Sequence, residues 1–152
     1  LYVFLKPVNK SLSLLAAWFR IVYAAMLGIV VFYLINVIQL ISGAGYLSAF
    51  EPDQLHAQVM ISLNNFTHGW NFALTIFGIH LLLLGYLLSR AGYMKKILGI
   101  LVLIAGLGYM ADGIGKVLTT NYTITISVFT FIGEVVLIFW LLIKGHKIKE
   151  TT

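Results

Sequence analysis

The sequence contains no cysteine. That excludes disulfides, thiolate metal sites, thiol nucleophiles and palmitoylation on this chain's own cysteines. Charge is nearly as scarce. Only 10% of the residues are Asp, Glu, Lys or Arg, against about 25% in an ordinary soluble domain. There is no phosphate-binding glycine loop, no His-Glu-x-x-His, no Gly-x-Ser-x-Gly and no pair of histidines at i, i+3 or i, i+4. His56, His68, His80 and His146 are scattered along the chain. A shared metal or haem site is therefore not expected, although His68 with Asp112 remains an open pairing. The reading expects no cofactor, no metal and no catalytic residue.

What the sequence has in abundance is apolar length. It is 61% hydrophobic, and the apolar residues form blocks of more than about 18, each able to span a hydrocarbon core of about 30 Å. A soluble fold of 152 residues could not hide that much apolar surface, because only part of its area leaves water on folding. The net charge of +5 sits beside these blocks, so membrane orientation explains it better than nucleic acid.

The expected fold class is an all-α integral membrane protein, a single domain over 1–152. Four transmembrane helices are expected at about 12–41, 66–88, 94–118 and 123–143. Ser11 is a plausible N-cap for the first. Ser42-Gly43-Ala44-Gly45 ends it with glycines able to take the left-handed conformation. Residues 46–65 read as an outer loop with a short amphipathic helix, or as an extension of the second span. Glu51-Pro52-Asp53 marks its start, with proline and acids suited to a first turn. The β-branched run Thr123-Ile124-Thr125-Ile126 alone would suggest a strand, but its continuity with a long apolar run argues for helix. Residues 144–152 form a basic tail.

Lys6, Lys10, Arg20, Arg90, Lys95, Lys96, Lys144, Lys147 and Lys149 alternate onto one side, leaving Lys116 near the other with Glu51 and Asp53. The positive-inside rule puts those nine in the cytoplasm, with both ends of the chain. Trp18 and Arg20 suit the interface, where Arg20 can snorkel to phosphate. Leu1–Leu5, stopped by Pro7, reads as the last turn of a helix leaving the membrane. Further helices before Leu1 are expected.

Gly99, Gly106 and Gly113 recur every seven residues on span three, as do Gly78 and Gly85 on span two. Ala24 with Gly28 and Ala111 with Gly115 are further small-residue pairs. Such faces let helix backbones approach in lipid. Two acids lie inside spans, where each costs on the order of 2.5–3.5 kcal/mol unless it meets a partner or water. Asp112 has Lys116 one turn away, a polarity that favours a local pair; a ligand-facing role is the alternative. Glu134 lies near the midplane with no basic residue within a turn, at the depth of His80. A Glu134–His80 contact would satisfy both and specify register, or relay a proton. Asn36, Gln39, His68 and Asn71 form an outer polar group that, with Asp112, either lines a pocket or makes interhelical hydrogen bonds.

Several segments together resemble a known family. They are Leu5-Lys6-Pro7-Val8-Asn9-Lys10-Ser11-Leu12 running into Ala16-Ala17-Trp18-Phe19-Arg20, then Ala49-Phe50-Glu51-Pro52-Asp53-Gln54-Leu55. Phe77-Gly78-Ile79-His80-Leu81 through Gly85-Tyr86 follows, then Leu98-Gly99-Ile100-Leu101 and Ala105-Gly106-Leu107-Gly108-Tyr109. The set resembles the uncharacterised membrane-protein family called domain of unknown function 4386. That resemblance implies a bacterial inner-membrane protein of about six helices, of which these are the last four. It implies no activity.

Three functions follow as expectations. The first is a non-enzymatic bundle that binds lipid, itself or another membrane protein through its glycine faces. The second is a small transporter or proton-coupled carrier using Glu134, His80 and Asp112. The third is an intramembrane enzyme on a lipid-like substrate, which needs at least two of His68, Asn71, Asp112 and Glu134 to converge.

Overall fold

The computed structural model describes residues 1–119, 122–123 and 125–144. Among them there is no strand, and four helices are long and apolar enough to cross a membrane. Thr120, Asn121, Ile124 and the tail from Gly145 onward, including Lys147 and Lys149, lie outside the described residues.

A short helix, α1 (Tyr2–Leu5), precedes α2 (Lys10–Leu40). Asn9 rather than Ser11 caps α2. Its backbone is extended (φ −161°), which lets its Oδ1 accept from the Leu12 N–H at 2.9 Å. The chain leaves α2 through Gly43, whose φ of 69° makes the left-handed turn that a side chain would disfavour. A 3₁₀ turn at Gly45–Ala49 leads to α3.

Helix α3 (Pro52–Arg90) is one continuous element of 39 residues. The amphipathic segment after Pro52 is therefore continuous with the helix expected at 66–88, not a separate helix. Pro52 at its first position and the Gln54 side chain, which accepts from the Glu51 N–H at 3.1 Å, define its start. At 1.5 Å per residue it is about 58 Å long, well beyond a bilayer core. A short turn leads to α4 (Lys96–Leu118). The last span begins only at α5 (Ser127–Thr130), is interrupted at Phe131 and continues as α6 (Ile132–Lys144). Helix thus starts four residues later than the sequence suggests. Of the β-branched run before it, Thr123 and Thr125 are not helical.

The helices pack in the order α2, α3, α4, α6, with α5 also on α4. Half of the apolar window of α3 and 44% of that of α4 are buried, against 6% for α2 and 11% for the last span. The α3–α4 pair is therefore the core, and α2 and α6 are flanks. Glycine explains the core's closeness. A Cβ on Gly85 would meet the Gly99 carbonyl oxygen at 2.7 Å, and one on Gly78 would meet the Gly106 oxygen at 2.8 Å. One on Gly113 would meet the Asn71 oxygen, also at 2.8 Å. Seven residues along α3 match seven back along α4, which is the register of antiparallel helices in backbone contact. Leu81, Leu84, Leu88, Leu98, Val102 and Ala105 fill the space around these glycines. Gly28 on α2 has open space around it and contributes nothing of this kind.

Candidate functional site

Asp112 is 1% exposed, near the C-terminal end of α4. One carboxylate oxygen accepts from the Tyr122 hydroxyl at 2.8 Å and from the Ile126 N–H at 2.9 Å. The other accepts from the Ser127 N–H at 2.7 Å. Ile126 and Ser127 open α5, so Asp112 caps that helix from a neighbouring one. It supplies the acceptor for N–H groups that no helix can satisfy itself, and its negative charge meets the positive dipole end. Lys116 is not among these partners. Neither expected role holds the carboxylate: it is committed to joining α5 to α4. Nearby glycines complete the joint. Gly115 makes room for the Tyr122 ring, Gly108 for Thr130, and Gly133 for the Leu101 carbonyl.

A second polar group lies one turn deeper. Tyr109 precedes Asp112 by three residues, on a neighbouring position of the same face of α4. Its hydroxyl faces the Glu134 carboxyl of α6. Arg20 of α2 is near enough to act on the same carboxyl as a charge. The Arg20 guanidinium carbon lies 5.1 Å from the Phe77 ring centroid and 5.4 Å from that of Tyr23. Tyr23 and Phe77 stack at 4.7 Å, and Tyr109 meets Phe77 edge-on at 5.3 Å. Each of these residues stands ten to thirteen positions from the basic end of its helix, about 15–20 Å deep at 1.5 Å per residue. The four long helices thus each contribute to one mid-depth cluster. Helices α2 and α6, which do not pack closely on each other, form its two walls, and α3 and α4 its floor.

One atom there is unaccounted for. Glu134 Oε1 is enclosed and has no hydrogen-bond partner among the described residues. His80 does not provide one. Its Nδ1 lies 2.8 Å from the Ala16 carbonyl oxygen. A carbonyl only accepts, so the proton sits on Nδ1 and the ring serves as a strut between α3 and α2. The imidazole also stacks near Phe77, at 5.8 Å.

The remaining candidates stay apart from this cluster. Asn36 donates to Ser62 Oγ at 2.9 Å, an interhelical hydrogen bond between α2 and α3. His68 is exposed on α3. Asn71 is buried beside Gly113, level with Asp112, whose oxygens are already engaged. These residues form no single pocket. Sequence reasoning missed Tyr109 and Tyr23 and placed Arg20 at the interface. The i, i+3 spacing of Arg20 and Tyr23 was the available signal, since it puts guanidinium and ring on one helix face.

Fold and cluster together define an all-helical bundle with four membrane-length helices and a polar centre at mid-depth. The chain belongs to the family described as Domain of unknown function (DUF4386), whose model matches residues 1–145. A relative called an uncharacterized protein, from Archaeoglobus fulgidus, is 36% identical over 150 residues, covering 99% of this chain and 75% of its own length. No solved structure matches.

Proposed function

We propose that this chain is a non-enzymatic membrane bundle that binds a lipid-like molecule in the groove between α2 and α6. In this reading it crosses the bilayer four times, with its basic end in the cytoplasm. The observation that carries it is the enclosed Glu134 oxygen without a donor. An acid at that depth needs a partner. A ligand hydroxyl, amide or amine supplies one when the side chains that enclose this oxygen part to admit it from the lipid side, while an apolar chain lies along the exposed flanks of α2 and α6. Arg20, held over two rings, offers a charged donor at the rim. A protein partner fits less well. The glycine faces of α3 and α4 are used up inside the bundle, and only Ala24 and Gly28 on α2 remain open.

The test is lipid extraction from protein purified in mild detergent, followed by mass spectrometry. Wild type should retain one lipid species in fixed proportion, and Glu134→Leu should lose it while staying folded. A fully stable, lipid-free wild type would refute the reading, and so would unchanged retention in Glu134→Leu.

A proton-coupled carrier is the second reading, favoured by the Tyr109 hydroxyl beside Glu134. It would use Glu134, Tyr109 and Arg20, because His80 and Asp112 are engaged elsewhere. Proteoliposomes under a pH gradient decide it: proton-driven flux must disappear in Glu134→Gln. An enzyme on a lipid-like substrate has less support, since His68, Asn71, Asp112 and Glu134 do not converge on one space.

A further inference from the structure

The basic end of the bundle carries a second polar site, remote from Glu134. A depression of about 680 Å³ is lined by Pro7, Val8, Asn9, Tyr86, Arg90, Gly92 and Tyr93. It lies where the turn between α1 and α2 meets the turn between α3 and α4. The walls are held together. The Tyr93 hydroxyl donates to the Phe4 carbonyl oxygen at 2.6 Å, and the two rings meet edge-on at 4.9 Å.

The donors here suit an anion. The Arg90 guanidinium carbon lies 5.5 Å from the Tyr86 ring centroid, a contact that uses the face of the group and leaves its N–H fork available. Among the described residues, the Gly92 and Tyr93 N–H groups have no protein acceptor. No Cβ crowds the approach at Gly92, where the space is open. Lys6, Lys10, Lys95 and Lys96 are exposed in the same two turns or beside them. The acids among the described residues lie elsewhere: Glu51 and Asp53 at the opposite end, Asp112 and Glu134 within the helices. The depression sits level with the ends of the spans, where lipid phosphates lie.

We infer that this depression binds the phosphodiester of an anionic phospholipid headgroup, with Arg90 as its bidentate donor. Tyr86 braces the guanidinium, and the backbone amides of Gly92 and Tyr93 add donors. The inference rests on the four helices crossing a bilayer; it does not rest on the groove around Glu134. An arginine in the last turn of α3 also answers the negative dipole end of that helix. The test therefore includes Arg90→Lys, which keeps the charge and loses the planar fork.

Full-length protein is incorporated into vesicles of phosphatidylcholine alone, which needs only the spans. It is then titrated with phosphatidylglycerol, and bound lipid is counted by native mass spectrometry. Wild type should retain one phosphatidylglycerol in preference to phosphatidylcholine. Arg90→Ala should weaken that retention about tenfold, and Arg90→Lys should restore it only in part. Lys144→Ala, which removes a charge at the same end but away from the depression, should leave it unchanged. Equal retention of the two lipids would overturn the inference. So would an effect of Lys144→Ala as large as that of Arg90→Ala, or displacement of phosphatidylglycerol by millimolar inorganic phosphate, which would make the site one for free phosphate. Failure to enter phosphatidylcholine vesicles would instead refute the membrane reading itself.

Discussion

Asp112 and Glu134 are acids on helices that pack against each other, about 9 Å apart in depth at 1.5 Å per residue. Asp112 accepts three hydrogen bonds and is 1% exposed. Glu134 is partly open and keeps one enclosed oxygen without a donor. The difference lies in the backbone around each. Asp112 faces the start of a helix, where free N–H groups are available. Glu134 lies in the first turn of α6, but its carboxyl faces Tyr109 and Arg20, which stand inside α4 and α2, where backbone donors are used within their own helix. An acid at a helix start is easily satisfied by structure. An acid opposite helix middles must find side chains, water or a ligand.

The largest expected effect separates these two roles directly. Asp112→Ala removes a charged acceptor from three donors and leaves two backbone N–H groups at the start of α5 without it. A loss of about 3 kcal/mol or more is expected, since bonds to charged groups contribute about 1.5–3 kcal/mol each and the orphaned donors add to that. Glu134→Leu removes one oxygen that lacks a donor but also the partner of the Tyr109 hydroxyl, so its loss of stability should be well below that of Asp112→Ala. Unfolding in mixed detergent, followed by circular dichroism, measures both. Comparable losses in the two variants would mean that Glu134 is a structural residue after all, and the contrast would collapse.

A second substitution asks whether the two acids are mechanically linked. Asp112 fixes the start of α5, and Gly133 seats α6 on the Leu101 carbonyl one residue before Glu134. A Cβ at Gly133 would lie 2.6 Å from the Leu101 carbonyl carbon, with backbone on the other side that cannot rotate away. Gly133→Ala should cost about 1–3 kcal/mol by overpacking. It should also lower lipid retention by moving Glu134 away from Tyr109. Gly28→Ala, with open space around it, should change neither, or stabilise slightly through the unfolded chain. If Gly133→Ala is destabilised but retains lipid fully, the position of Glu134 is set by something other than this joint.

How much of this was readable in advance follows the same division. The membrane-length helices were legible, because apolar run length is a one-dimensional property. The meshing of Gly78 and Gly85 with Gly106 and Gly99 was visible as a seven-residue repeat on both helices. The fate of Asp112 was not. Its partners are ten to fifteen residues downstream, across a connection whose path no periodicity describes, and local spacing pointed to Lys116 instead. His80 was likewise assigned by depth alone. Depth does not fix which way a ring turns, and the Ala16 carbonyl on α2 accepts its Nδ1–H. The continuity of α3 is not legible, because the four-residue spacing of Leu55, Val59 and Leu63 fits an interfacial helix and a continuous one equally well.

The smallest effect tests one bond within the Asp112 joint. Tyr122 lies in the connection before α5, outside the spans, and its hydroxyl donates to Asp112 at 2.8 Å. That bond to a carboxylate, with burial adding to it, raises the Tyr122 pKa above the ordinary 10.0. The folded state therefore favours the neutral phenol. Its contribution is fully present below pH about 10 and is lost as pH rises through the higher folded value. Tyr122→Phe should be less stable than wild type, by less than Asp112→Ala. The gap between wild type and Tyr122→Phe should stay constant from about pH 6 to 9 and close above the folded pKa. Measuring the pair in the same buffers cancels the titration of every other group. No gap at any pH would show that the ring of Tyr122, packed on Gly115 and retained in the Phe variant, does the holding. The Asp112 carboxylate would then rest on the two backbone donors alone, and its cap on α5 would be the whole of the joint.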